Sequence, residues 1–344
     1  RGPLRRMPLT LSVFLTTPTV TLLALAERLI YGRKIAAVKN EEAPVFVLGY
    51  WRSGTTWLHE ILDADERSIS PSTFQCMVPD CFILAKPLAW ILKRLLPETR
   101  PMDAVSLDMN AAQEDELAIL IMGLKTPYNY MAFPSQGWPV TDISTYQPQE
   151  GRELSHWIAR WTDFLKKVQM ADPSKRMILK SPPHTARIEM ILSQFPNAKF
   201  VHISRDPRAL FGSNLKLSKA MCTTQGFELS LPDDQNLTEQ IIETHNWIYE
   251  QFFEVSDKSP NATICQTRFE DMRKDPEAEI IRIYKELELG DPYMALKTIR
   301  KRISKTSDYK PDSYEIDPDL EARLQSEWSQ YYERFGYRQE QESR

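Results

Sequence analysis

The chain has 344 residues, 42% of them hydrophobic, which is enough apolar side chain for one large core or two small ones; we expect one α/β domain with insertions. A formal net charge of −4, with no interleaved basic and aromatic patch, argues against nucleic acid as a partner, because a duplex binder carries a basic excess. The cysteines Cys76, Cys81, Cys222 and Cys265 lack paired metal-ligand spacing and suit a reducing compartment, so no metal and a cytoplasmic location are expected.

Residues 1–43 read as an N-terminal segment, with a helix over 20–38, set before a domain at 44–344. Its one membrane-suspect stretch, 8–31, carries Leu11, Phe14, Leu15, Leu22, Leu25 and Leu29 but is interrupted by five threonines and Pro18. A spanning helix wants about twenty mostly apolar residues. With Arg1, Arg5, Arg6, Arg28, Arg33 and Lys34 at its flanks, two readings stay open: a helix lying on an anionic membrane face, or one packed on the domain beside the site.

A core-type strand over 44–49 then runs through Gly49-Tyr50-Trp51-Arg52-Ser53-Gly54 into a helix over 55–64 that opens at Thr55 and Thr56. Backbone N–H groups of such a turn converge on one spot, and the helix N-terminus adds about half a positive charge there, so a phosphate or sulfate is the expected guest. The spacing of Gly49 and Gly54 copies the first half of a nucleotide triphosphatase loop, yet Thr55 stands where that loop has lysine. The cation sits instead at Arg52, whose planar fork suits an oxygen bridging two acidic groups.

An apolar, proline-punctuated region follows over 71–100, and helices are expected over 111–124 and 150–170. The first of these opens with Gln113-Glu114-Asp115-Glu116 before an almost wholly apolar run, of which the helix dipole explains one or two acids. Next, Met177-Ile178-Leu179-Lys180 reads as a strand delivering Lys180, and after Ser181-Pro182-Pro183 also His184, to the strand edge where open α/β sheets hold ligands. A histidine after two prolines is more often a cap or turn residue than a catalyst. A helix over 185–195 leads to the strand Lys199-Phe200-Val201-His202-Ile203-Ser204, then Arg205-Asp206-Pro207-Arg208 and a helix over 207–218 carrying Ser213. Asp206 and Pro207 make sound helix-start chemistry and leave Arg205 available.

Residues 219–237 read as a surface excursion or lid, followed by a helix over 237–256, a strand over 262–267, and Arg268-Phe269-Glu270-Asp271-Met272. Lys305 and Lys310 lie in a late basic stretch whose default reading is a solvated face, and residues 320–335 form an amphipathic segment. Strands alternating with helices indicate a parallel sheet covered on both faces.

Arg52-Ser53-Gly54-Thr55-Thr56-Trp57, with Arg205 and a serine eight residues on, resembles the sulfotransferases that use 3′-phosphoadenosine 5′-phosphosulfate (PAPS). The Arg-Ser-Gly-Thr-Thr loop and the Gln-Glu-Asp-Glu segment resemble a mostly bacterial branch of that family. The resemblance implies a P-loop-like α/β fold, PAPS as co-substrate and no metal. It also implies a 5′-phosphosulfate site at Arg52, Ser53, Gly54, Thr55, Thr56 and Trp57, and a 3′-phosphate site at Arg205 and Ser213. By the same resemblance Lys180 steadies the transferring group, and the acceptor is a hydroxyl on a small or lipid-like molecule. Two departures stand out. Phe269 replaces the tyrosine of a Tyr-Glu-Asp-Leu motif, and Pro71-Ser72-Thr73-Phe74-Gln75 falls where other branches place a catalytic glutamate. The proton acceptor is therefore assigned to Glu114, with Glu116 and His184 as reserves. The rival readings are a magnesium-dependent kinase or hydrolase on the same loop, which lacks the lysine, and a nucleotide-binding protein without catalysis.

Overall fold

The computed structural model describes residues 2–39, 41–90, 108–132, 146–225, 233–259, 262–305, 314 and 316–337. In chain order its principal elements are α1 (Gly2–Ala37), β1 (Val45–Leu48), α2 (Thr55–Asp63), β2 (Ser68–Ile69), α3 (Asp115–Ile121) and α4 (Gly151–Gln169). β3 (Arg176–Lys180), β4 (Lys199–Ser204), α5 (Pro207–Gln225), α6 (Asp234–Lys258) and β5 (Thr263–Arg268) follow. The chain divides into two compact units: Arg1–Glu42 with Ile69–Met177 and Lys219–Pro232, and Ala43–Ser68 with Ile178–Ser218 and Asp233–Arg344.

The second unit is organised by the sheet, whose strand order is β2-β3-β1-β4-β5. The pairings of β1 with β3, β1 with β4, and β4 with β5 are all parallel. Val45, Phe46, Val47 and Leu48 are all fully buried, as a strand covered on both faces must be, which explains its unbroken apolar sequence. One face packs Val45, Val47, Val201 and Ile203 against Leu58 and Ile61 of α2 and against Ile280 and Ile283 of the helix Pro276–Glu286.

On the other face His202 stacks between Phe252 and Phe335, at ring separations of 4.4 and 4.8 Å, and meets the Tyr249 hydroxyl at 3.1 Å. His245 stacks on Trp328 at 3.8 Å. Burial pushes His202 down to about 3 and His245 well below the ordinary histidine range, because a charged ring has no water there. Both rings are held neutral in the folded chain and bind protons once it unfolds. Their contribution is complete above about pH 6.5 and falls by about 1.4 kcal/mol per histidine for each pH unit below it, until the folded-state value is reached. Denaturant titrations between pH 7 and 5 are expected to show that loss, with a shallower slope in His202→Phe/His245→Phe; an unchanged slope in the double variant would refute this origin.

In the first unit α1 lies against α4 through a buried ion pair. Glu27, 1% exposed, accepts from Lys167 Nζ, 5% exposed, at 2.8 Å. The other Glu27 oxygen accepts the N–H groups of Ile83 and Leu84 at 2.9 and 3.0 Å, so one carboxylate also closes the start of the short helix Phe82–Ala85. Losing one partner strands a charge in the core. Glu27→Leu is expected to cost about 3–5 kcal/mol in denaturant unfolding, whereas Glu27→Leu/Lys167→Met recovers most of it. Equal losses in the single and double variants would contradict this.

Several boundaries differ from the sequence expectation. The helix expected at 20–38 starts at Gly2 and continues past Pro18. The helix expected over 111–124 is confined to Asp115–Ile121, because residues 109–113 pair with 71–74: Thr73 and Phe74 donate to Ala111 and Met109, and Gln113 donates to Pro71. After β3 the expected single helix is a 3-10 turn, Pro182–Ala186, followed by Ile188–Gln194. Residues 226–232 of the expected lid, and Lys310, lie outside the described residues; α5 itself extends to Gln225 and α6 begins at Asp234. The amphipathic segment near the C-terminus is two helices, Pro318–Glu327 and Ser329–Arg334.

Candidate functional site

β3, β1 and β4 are neighbours and parallel, so their C-terminal ends emerge side by side: Lys180 from β3, the Gly49–Gly54 turn from β1, and Arg205 after β4. That edge, where the chain leaves β1 for strands on either side of it, is where doubly wound sheets bind ligands.

The turn is shaped by backbone that favours glycine. Gly54 has φ 104°, and a side-chain carbon added there would lie 2.6 Å from the Phe269 ring. At Gly49 an added carbon would lie 2.6 Å from the Ile203 carbonyl and from Ser53 Oγ. Arg52 is a non-glycine residue in the left-handed region, φ 69°, a strain of order 1 kcal/mol that surrounding contacts must hold. Those contacts are specific. Arg52 Nε donates to Ser213 Oγ at 2.8 Å, and its carbonyl accepts from Arg205 Nη1 at 2.8 Å. The two motifs, separated by about 150 residues in sequence, are thus joined through Arg52 itself.

Lys180 is buried and donates to Thr56 Oγ1 at 3.2 Å, which places a third cation beside the first turn of α2. Gly54, at the N-cap of α2, supplies no capping side chain, and the hydroxyl of Ser53 is buried with no hydrogen-bond partner among the described residues. A buried hydroxyl without a partner beside a glycine turn and three cations fits an oxyanion.

Residues the sequence reading passed over complete the frame. Asn214 Nδ2 donates to the Trp51 and Leu210 carbonyls at 2.8 Å each, fastening α5 to the turn. Thr185 Oγ accepts the Gly49 N–H at 2.9 Å. The Phe269 ring lies 4.6 Å from the Arg205 guanidinium carbon and 5.9 Å from the Trp57 ring, so the residue that lacks the expected hydroxyl serves as the floor under Arg205. The hydroxyl of Tyr331 takes the Arg205 N–H at 2.9 Å and donates to the Arg205 carbonyl at 3.0 Å. Asp206 caps α5 as its sequence suggested, accepting the Ala209 N–H at 3.0 Å, while its own N–H goes to Glu270 at 2.9 Å.

His184 is wholly buried, its ring edge-on to Phe46 at 5.5 Å and its backbone N–H donated to the Ser181 carbonyl at 2.9 Å. Within the other unit the acids of 114–116 separate by role. Asp115 accepts from the Trp161 indole at 2.8 Å and Glu116 from the Thr126 hydroxyl, both wholly buried. Glu114, the half-buried N-cap residue of α3, accepts from the Tyr128 hydroxyl. The Trp157 indole donates to the Lys125 carbonyl at 2.9 Å, holding the segment that carries Tyr128. Phe82 packs against Phe164 at 6.2 Å, and Phe133 lies outside the described residues.

Comparison with known proteins gives a consistent picture. The profile of a family described as "Sulfotransferase family" matches residues 44–292. The omega-hydroxy-beta-dihydromenaquinone-9 sulfotransferases Stf3 of Mycobacterium bovis and Mycobacterium tuberculosis are each 32% identical over 315 residues, spanning 92% of this chain and 80% of theirs. Among solved structures, sulfotransferase STF9 from Mycobacterium avium superposes with a TM-score of 0.65 at 19% identity, covering 91% of this chain and 81% of that one. Sulfotransferase STF1 from Mycobacterium tuberculosis gives 0.62 at 18% identity, covering 90% and 82%.

Proposed function

This chain belongs to the sulfotransferase family, and from that premise we propose that it moves a sulfuryl group from PAPS to the hydroxyl of a lipid-like alcohol, releasing adenosine 3′,5′-bisphosphate (PAP). Family membership sets aside the kinase, hydrolase and non-catalytic readings. The observation that carries the donor assignment is the junction of the two motifs: Arg52 Nε on Ser213 Oγ and Arg205 Nη1 on the Arg52 carbonyl.

In this reading the chain's own groups divide the work. PAPS supplies an activated sulfate whose leaving group is a phosphate. Arg52, with the turn amides of Ser53 to Trp57 and the hydroxyls of Thr55 and Thr56, binds the 5′-phosphosulfate. Arg205 and Ser213 bind the 3′-phosphate. Lys180, steered by Thr56, offsets charge on the moving group, since preorganised cations in a buried site gain most where charge develops. Glu114 takes the acceptor proton. His184, with its ring against Phe46, stands in reserve for that proton.

The acceptor class rests on the relatives named for a hydroxylated dihydromenaquinone and on the apolar make-up of 71–100 and 117–133. Incubation of the protein with PAPS and an ω-hydroxylated polyprenyl quinone, followed by mass spectrometry, is expected to show a gain of one sulfate. Sulfation of short soluble phenols with none of the isoprenoid alcohol would refute the acceptor class; no sulfated product from either would refute the reaction.

A further inference from the structure

The outer face of α1 is a large exposed feature of the first unit. Val20, Ala24, Glu27, Tyr31 and Ile35 face the unit at helical spacing, with Glu27 and Ile35 fully buried. The opposite face carries Leu11, Leu15, Pro18, Leu22, Leu25 and Leu29, spaced alternately four and three residues apart, with Phe14 alongside. These side chains are exposed: 86% for Leu29, 73% for Phe14 and 67% for Leu22. A run of large apolar residues along one helix costs solubility unless something covers it.

Charge says what covers it. Arg28, Arg33 and Lys34 are exposed on the same helix, while its sole acid, Glu27, is turned inward onto Lys167. A second copy of α1 laid on this stripe would bring cation against cation with no carboxylate to answer them, contrary to what a helical seam requires. Among the described residues no helix is long and apolar enough to cross a membrane. An apolar stripe on a helix whose exposed charges, among the described residues, are all cations is the pattern of a helix that lies in the surface of an anionic bilayer.

We propose that α1 docks the protein on anionic lipid, its leucine stripe sunk at the headgroup boundary and Arg28, Arg33 and Lys34 on the phosphates. The inference stands apart from the reaction and would survive its refutation. Flotation of the full chain with vesicles tests it, comparing phosphatidylcholine alone with phosphatidylcholine plus phosphatidylglycerol. Binding is expected on the anionic vesicles, weakened by salt, with each cation contributing about fivefold near the surface, so Arg28→Gln/Arg33→Gln/Lys34→Gln loses about a hundredfold. Leu25→Ser/Leu29→Ser is expected to stay in solution. The cation variant reads the same surface without touching apolar side chains, so a folding defect in the leucine variant does not shield the proposal. Absence of wild-type flotation, or flotation indifferent to both variants, would overturn it. So would a dimer in sedimentation velocity that the leucine variant abolishes while anionic vesicles capture nothing, which marks the stripe as a seam between copies.

Discussion

Arg52→Ala is expected to lower kcat by about a thousandfold, the loss typical of removing a preorganised charge donor from a developing oxyanion. Arg52 is also the joint between the two motifs, since its Nε reaches Ser213 and its carbonyl holds Arg205. Arg205→Ala is therefore expected to weaken PAP binding, and the two substitutions are expected to be non-additive, as residues sharing one network are. The left-handed backbone at Arg52 gives a second handle. Glycine tolerates φ 69° at no steric cost, so Arg52→Gly is expected to hold or raise the melting temperature while turnover is lost. Steady-state kinetics beside thermal unfolding separates these effects; a variant that unfolds early and keeps its residual kcat would show that Arg52 serves the fold alone.

Glu114→Gln is expected to reduce kcat by two to four orders of magnitude, the usual worth of a positioned base, with PAP affinity unchanged. Its neighbours provide the contrast. Asp115→Asn and Glu116→Gln disturb buried hydrogen bonds to Trp161 and Thr126, so they are expected to lower the melting temperature by several degrees. Tyr128→Phe removes the hydrogen bond to Glu114 and is expected to shift the pH profile of kcat, a readout that a purely structural contact would not move. Wild-type kcat in Glu114→Gln would leave the carboxylate as no more than a partner for Tyr128.

Both ends of the proposed donor site were legible in sequence because each rests on short-range chemistry. Gly49 and Gly54 mark a turn that only glycine fits, and the apolar runs before Arg52, Lys180 and Arg205 mark strands buried on both faces. Parallel neighbours then bring their C-terminal ends to one edge without further information. What escaped was long-range. Phe269 read as a lost hydroxyl, and only the approach of its ring to Gly54 and Arg205 shows its use. Asn214 and Tyr331 brace the turn and Arg205 through backbone groups, a bond that no residue pattern announces. The sequence ranked Glu114 above Glu116 as proton acceptor without showing their partners; Trp161, Thr126 and Tyr128 distinguish the three acids, the first from a helix more than thirty residues downstream. The first turn of the helix expected over 111–124 yielded to backbone pairing with 71–74, a tertiary override of local preference.

Calorimetric titration of PAP into the intact protein, repeated with Arg52→Ala, Arg205→Ala and the double variant, tests most directly whether both strand ends hold one adenosine bisphosphate. One bound PAP per chain is predicted, weakened at least tenfold by Arg205→Ala and far less by Arg52→Ala, with the double variant departing from the sum of the two. Absence of binding heat with the wild type, for PAP and PAPS alike, would contradict the assignment.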